Sequence, residues 1–161
     1  PTSGVVIFAR TSKALSRLNR ILAQNLARKI YWAVVRDKPP KDQGTLVHWL
    51  KKNSRQNKSY VYKNEVKQSK EAELRYRILK ELDNYYALEI ELKTGRHHQI
   101  RAQLAHIGCS IKGDLKYGAS RSNADGSIHL HARSIEFEHP VKKIPMKLEA
   151  PPPDDIIWNA C

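Results

Sequence analysis

The sequence is short of cysteine, of acidic residues and of long apolar runs, and each shortage removes a class of protein. Two cysteines in 161 residues, Cys109 and Cys161, stand far apart and outside any CxxC pair. That argues against a disulfide framework or a structural zinc site and makes a reducing cytosol the expected compartment. No stretch approaches the length needed to cross a bilayer, and neither a basic amphipathic helix with a bulky apolar face nor a lipid-anchor motif offers membrane attachment. Acids number 16 against 29 Lys and Arg, which leaves a formal charge of +13. A chain so basic, with pI ≈ 9.9, favours polyanions, because every phosphate it neutralises releases condensed counterions. Nucleic acid is the expected partner class, well ahead of an anionic membrane surface.

What is present is ordinary for a folded domain: 40% hydrophobic and 28% charged residues, at a length that buries a real core. Strand-like sequence follows directly on Pro1, so the chain reads as one opened in mid-domain. No repeat and no linker interrupts residues 1–161, and a single α+β domain accounts for them.

Periodicity sets the expected elements. Residues 4–10 are a β-branched apolar run that reads as a buried strand. Leu15, Leu18, Leu22 and Leu26 then recur at helical spacing, capped by Thr11 or Ser12, as a core-facing stripe. Residues 29–35 read as a second strand and 36–44, with Pro39, Pro40 and Gly44, as a loop. Residues 45–50 carry no assignable pattern, and 51–59 read as a polar, basic loop facing RNA or water. Strands are expected at 60–63, 73–79 and 85–93, where Leu88, Ile90 and Leu92 alternate with Glu89, Glu91 and Lys93. Ile100, Leu104 and Ile107 make the buried face of a helix that starts after Thr94-Gly95 and ends at Gly108. Residues 130–138 are a further strand, and Pro151-Pro152-Pro153 end the regular structure. His129 and His131 share one strand face but lack a third ligand, so they read as packed or RNA-facing rather than metal-binding.

One segment stands apart: Thr94-Gly95-Arg96-His97-His98-Gln99-Ile100-Arg101, followed by Gly108-Cys109-Ser110-Ile111-Lys112-Gly113-Asp114-Leu115-Lys116-Tyr117-Gly118. It closely resembles the RluA-type pseudouridine synthase motif TGRxHQIR…GxPIxGDxxYG. Three further blocks agree, in the family's order. Thr2-Ser3-Gly4 and the apolar run after it resemble the end of HRLDxxTSGhhhhA, where h is apolar. Lys29-Ile30-Tyr31-Trp32-Ala33-Val34-Val35 resembles K-x-Y-x-A-x-V. Leu130-His131-Ala132 with Phe137-Glu138-His139-Pro140 resembles LHA…FxHP.

The resemblance implies a mixed, largely antiparallel sheet with flanking helices and an enzyme that isomerises uridine to pseudouridine in ribosomal or transfer RNA. It implies an essential Asp just ahead of the position of Pro1, with no metal or organic cofactor and RNA as the partner of a monomer. Arg101 corresponds to the arginine that keeps that Asp ionised, and Tyr31 to the tyrosine that packs on the target base. Since Trp32 points to the opposite face of the strand, one of the two aromatics is expected in the core and the other in the cleft. With the Asp missing, Arg101 is expected as an unpaired cation at the cleft floor, paired at best with solvent, an anion or a neighbouring acid. Arg96, His98 and Gln99 at the helix start, with Lys112 beyond it, are expected to hold phosphates. Asp114 reads as a turn residue bonding nearby N–H groups. Gln103 and Ser110 depart from the family's usual His and Pro. A non-catalytic RNA-binding module on the same fold is the alternative reading. Either way RNA affinity should fall steeply between low and physiological salt, as a salt titration of RNA binding would show.

Overall fold

The computed structural model describes residues 1–161. Strand β1 (Ser3–Gly4) precedes helix α1 (Ser12–Ala23) and strands β2 (Arg28–Val35), β3 (Gln43–Asn53), β4 (Lys58–Tyr62), β5 (Lys70–Glu81) and β6 (Tyr86–Leu92). Helix α2 (Gln99–His106), a 3-10 turn (Leu115–Tyr117), β7 (Leu130–Glu138), β8 (Pro145–Glu149) and a short helix α3 (Ile156–Asn159) follow. The strands form one sheet in the order β1-β7-β2-β6-β5-β3-β4, with β8 also on β7. Only β1 and β7 run parallel, so the sheet is mixed and largely antiparallel, as the family resemblance implies.

The alternation in β6 places Leu88, Ile90 and Leu92 on one face, where they are buried with Ala33 and Val35 of β2 and Leu74 of β5. Helix α2 covers that face with Ile100 and Leu104. Gly108, at φ +84°, supplies the left-handed residue after the helix, and the Cys109 N–H donates back to the Leu104 carbonyl at 2.9 Å. The core therefore lies between the middle of the sheet and α2.

Four expectations need correction. Residues 4–10 do not form a buried strand: β1 ends at Gly4, and Phe8 is 85% exposed. The reason is competition for one edge. β1 pairs with His131 and Ala132 of β7, and from Ser134 onward the same edge belongs to β8. The leucine stripe of α1 is not fully core-facing either. No residue of α1 is buried, Leu15 is 51% exposed, and Leu26 lies past the helix end. The helix rests on Ile135 and Phe137 around a small apolar pocket of about 80 Å³.

Residues 51–59 are not a free loop but the tip of a hairpin, in which Lys51 faces Tyr60 and Asn53 faces Lys58. Lysines are common on sheet-edge strands, where they discourage edge-to-edge pairing, and that composition hid the strand. Regular structure also continues past the three prolines: Trp158 of α3 is buried, with its ring 5.3 Å from His129 and 6.0 Å from His131. Both histidines are packed there.

Leu104→Ala should lower stability by about 2–5 kcal/mol, because it opens a cavity in the core. Leu15→Ala on α1 should cost less than about 1 kcal/mol. Urea unfolding of the two variants checks the contrast.

Candidate active site

Tyr31 and Arg101 line one cleft of about 760 Å³, together with Pro1, Arg96, His98, Asp114 and Lys116. Strand β2 delivers Tyr31. Its pairing with β7 shifts register between Ile30 and Tyr31, so the tyrosine sits at an irregularity of the ladder. Burial pushes the Tyr31 phenol up, so it stays protonated at neutral pH. Tyr31 both packs on the core and faces the cleft. Trp32 occupies neither place; its ring lies 5.1 Å beneath the Arg133 guanidinium on the other side of the strand. The two aromatics thus do not divide core and cleft between them.

Arg101 is held from three directions. Its Nε donates to Asp114 Oδ2 at 2.6 Å and its Nη2 to Asp114 Oδ1 at 2.7 Å, a two-pronged ion pair. Nη1 lies 3.0 Å from His98 Nε2, and the guanidinium carbon sits 4.9 Å from the centre of the Tyr117 ring. A guanidinium only donates, so His98 Nε2 must accept and the proton of the neutral ring is on Nδ1. Nδ1–H then donates to the Tyr117 hydroxyl at 3.1 Å, and that hydroxyl also accepts from the Ser59 N–H at 2.8 Å. The chain Arg101–His98–Tyr117 fixes the imidazole tautomer. Desolvation, with the Arg101 charge second, pushes the His98 pKa down to about 4.

Arg101 is therefore not the unpaired cation expected of a chain without the Asp; the neighbouring acid that pairs with it is Asp114. Nor is Asp114 a turn residue whose carboxylate bonds backbone N–H groups. Its carboxylate belongs to Arg101, while its backbone carbonyl accepts from Tyr117 and Ala119. The spacing explains the pairing, since residues three apart eclipse in a 3-10 turn. Asp114 just before that turn and Tyr117 at its end meet the same guanidinium. The Asp-x-x-Tyr spacing held this signal, and the turn propensity of Asp obscured it.

The four residues expected on phosphates are spread differently. Arg96 lines the cleft, but its Nε donates to the Glu71 carbonyl at 2.8 Å. His98 lines the cleft with both ring nitrogens engaged, by Arg101 and Tyr117. Gln99 is only 3% exposed. Its Oε1 accepts from the Thr94 hydroxyl and the Arg96 N–H, and its Nε2 donates to the Glu73 carbonyl. It clamps the turn before α2 to β5, because a buried amide stays only where its groups are paired. Lys112 lies outside the cleft altogether; its Nζ donates to Asn123 Oδ1 at 2.6 Å in the neighbouring groove.

The two departures from the family's pattern carry structural work. Fully buried Gln103 places Nε2 3.0–3.2 Å from the Leu46 and Ala72 carbonyls and His48 Nδ1. Ser110 donates to the Tyr117 carbonyl at 2.7 Å, steadying the turn beside Arg101.

The chain thus combines an α+β sheet, a helix over the centre of the sheet and a basic cleft at the start of that helix. The structure of human RNA Pseudouridylate Synthase Domain Containing 1 shares the fold, with a TM-score of 0.75 at 22% identity, over 95% of this chain and 66% of that one. The chain belongs to the RNA pseudouridylate synthase family, which matches residues 1–106. It is 34% identical to ribosomal large subunit pseudouridine synthase D of Xylella fastidiosa over 96% of this chain and 50% of the relative. It is 32% identical to tRNA pseudouridine synthase C of Salmonella typhimurium over 93% of this chain and 64% of the relative. The chain spans about half the length of most curated relatives it matches.

His98 provides a pH test. Its folded pKa of about 4 lies below the ordinary 6.5, so the unfolded chain binds the extra proton first. The stability contributed by the neutral ring is complete above about pH 6.5 and is lost as pH falls toward 4. In an NMR titration the His98 ring signals should stay flat from pH 8 to about 5, whereas an ordinary histidine would pass its midpoint near 6.5.

Proposed function

We propose that this chain is the cleft-bearing part of an enzyme that isomerises uridine to pseudouridine in ribosomal or transfer RNA. The observation that carries the reading is that Tyr31 and Arg101, from two separate blocks of the motif set, line the same basic cleft as Pro1 and Thr2. The reaction breaks the bond from the ribose to the base nitrogen, turns the base and rejoins the ribose through carbon. A proton leaves that carbon and one is gained at the nitrogen. The target nucleotide must first leave its stack, and a cleft of this size with a protonated tyrosine accepts a flat polar base.

An Asp just ahead of Pro1 would supply the essential carboxylate, a reading that the position of Pro1 on the cleft wall supports. Arg101 would hold it ionised. The guanidinium carries five N–H donors, of which Asp114 and His98 engage three, so two remain for a second carboxylate. Arg96 and Lys116 add positive charge for the flanking phosphates. Action as a monomer in the cytosol belongs to the same proposal; the two cysteines, both free, fit a reducing compartment.

The test uses a protein in which these residues follow the Asp-bearing segment. Removing one partner of a buried ion pair typically costs about 3–5 kcal/mol, and if half of that enters the barrier the rate falls by roughly ten- to seventyfold. Arg101→Lys should therefore lose most turnover while RNA affinity changes far less, because an ammonium cannot fork onto two carboxylates. Tyr31→Phe should likewise lower turnover more than binding. Residues 1–161 alone should convert no uridine. Full turnover by Arg101→Lys would remove the assignment, and turnover by residues 1–161 alone would move the search to Asp114. RNA binding without turnover by the longer protein would favour the binding-module alternative.

A further inference from the structure

Beyond the cleft lies a second and larger groove, of about 940 Å³. Its walls are the residues just after β2, the turn between β5 and β6, the segment between α2 and the 3-10 turn, and the long loop between that turn and β7. The antiparallel bridge between Val35 and Ile111 brings these parts together, setting Arg36 beside the segment that carries Ser110 and Lys112. Three cations, Arg36, Lys112 and Arg121, face a single carboxylate, Asp37, and only two of the 14 lining residues are hydrophobic. Arg36 and Arg121 are exposed, whereas Lys112 is oriented by Asn123 and sits 5.9 Å from the centre of the Tyr85 ring.

The groove is continuous with the cleft. Gly113 and Ser122 line both. Gly113 is closely packed at this junction: its φ is +86°, and a Cβ would stand 2.7 Å from the Ser127 carbonyl oxygen and 2.8 Å from the Asn123 side chain. Only glycine fits that position without displacing the residue that holds Lys112.

We propose that this second groove carries the RNA strand onward from the cleft, with phosphates on Arg36, Lys112 and Arg121 and one base stacked on Tyr85. The proposal rests on the RNA reading above and adds a path to it. A polar, glycine-lined trough with basic side chains and one half-buried aromatic is the composition that tracks a sugar–phosphate backbone and stacks a base without reading its edges. It is too polar to be the pocket of a drug-sized ligand, which such sites line mainly with apolar groups.

The test is binding of residues 1–161 to two oligouridylates across a salt series, one of three nucleotides and one of about twelve, the latter within the range such grooves cover. Substituting Arg36→Gln and Arg121→Gln together should weaken the longer RNA and flatten its log-affinity against log-salt slope by about 1.4, roughly 0.7 for each phosphate no longer neutralised. The trinucleotide, which needs only the cleft, should bind both proteins alike. Tyr85→Ala should weaken the longer RNA at least about fivefold with its salt slope unchanged. Arg96→Gln, in the cleft, should weaken both RNAs.

If Arg96→Gln weakens the longer RNA while the groove substitutions leave its affinity and slope unchanged, the groove is empty and the proposal fails, with the cleft reading intact. If the double substitution weakens the trinucleotide as much as the longer RNA, the arginines act by general attraction and the strand path is overturned. If the unsubstituted chain binds neither RNA, the RNA reading falls and takes the groove with it.

Discussion

The ion pair between Arg101 and Asp114 is the constraint around which the cleft is organised. Asp114 is 1% exposed, and a carboxylate so deep is tolerated only when its charge and its lone pairs are answered. Arg101 answers both through two parallel N–H donors. Because the guanidinium is rigid and planar, fixing two of its nitrogens fixes the third, which is why His98 has one available tautomer. From His98 the order passes to Tyr117, and from its hydroxyl to Ser59 of the β3–β4 hairpin. Ser59 Oγ in turn bonds the His97 carbonyl at 2.6 Å. One ion pair thus ties together α2, the 3-10 turn and the edge of the sheet.

The sheet supplies the other half of the cleft. β2 lies between β6 and β7, so Tyr31 rests on a strand paired on both sides and cannot swing with a loop. Gln99 performs the matching task for α2, clamping its leading turn to β5. Tyr31 and Arg101 are 70 positions apart in the chain, and their relation is set by the core between them, of which Leu92, Ile100 and Leu130 also line the cleft. A site on such elements keeps its geometry better than one on mobile loops.

Much of this was legible in the sequence. Strands β2, β6 and β7 and helix α2 declared themselves because each buries one face against the same core, and burial writes a period into the residues. Elements at the margins did not. The β3–β4 hairpin is lysine-rich because it is an edge, and α1 carries leucines that the rest of the chain only half covers. The short β8 carries Lys147 and Glu149 among its five residues, leaving little of an apolar run to notice.

Residue types and motif order by themselves determined the family, the basic character and the pairing of Tyr31 with Arg101 in one reading, because those depend on chemistry carried by single side chains and their spacing. Tertiary structure alone decided how the polar groups were spent. Gln99 and Asp114 each had a plausible local role, at a helix start or in a turn. A buried polar atom, however, goes to whichever partner the packed fold brings within about 3 Å, and for these two the partners were Glu73 and Arg101. Those partners lie 26 and 13 residues away in the chain, and local propensity says nothing about distances of that kind.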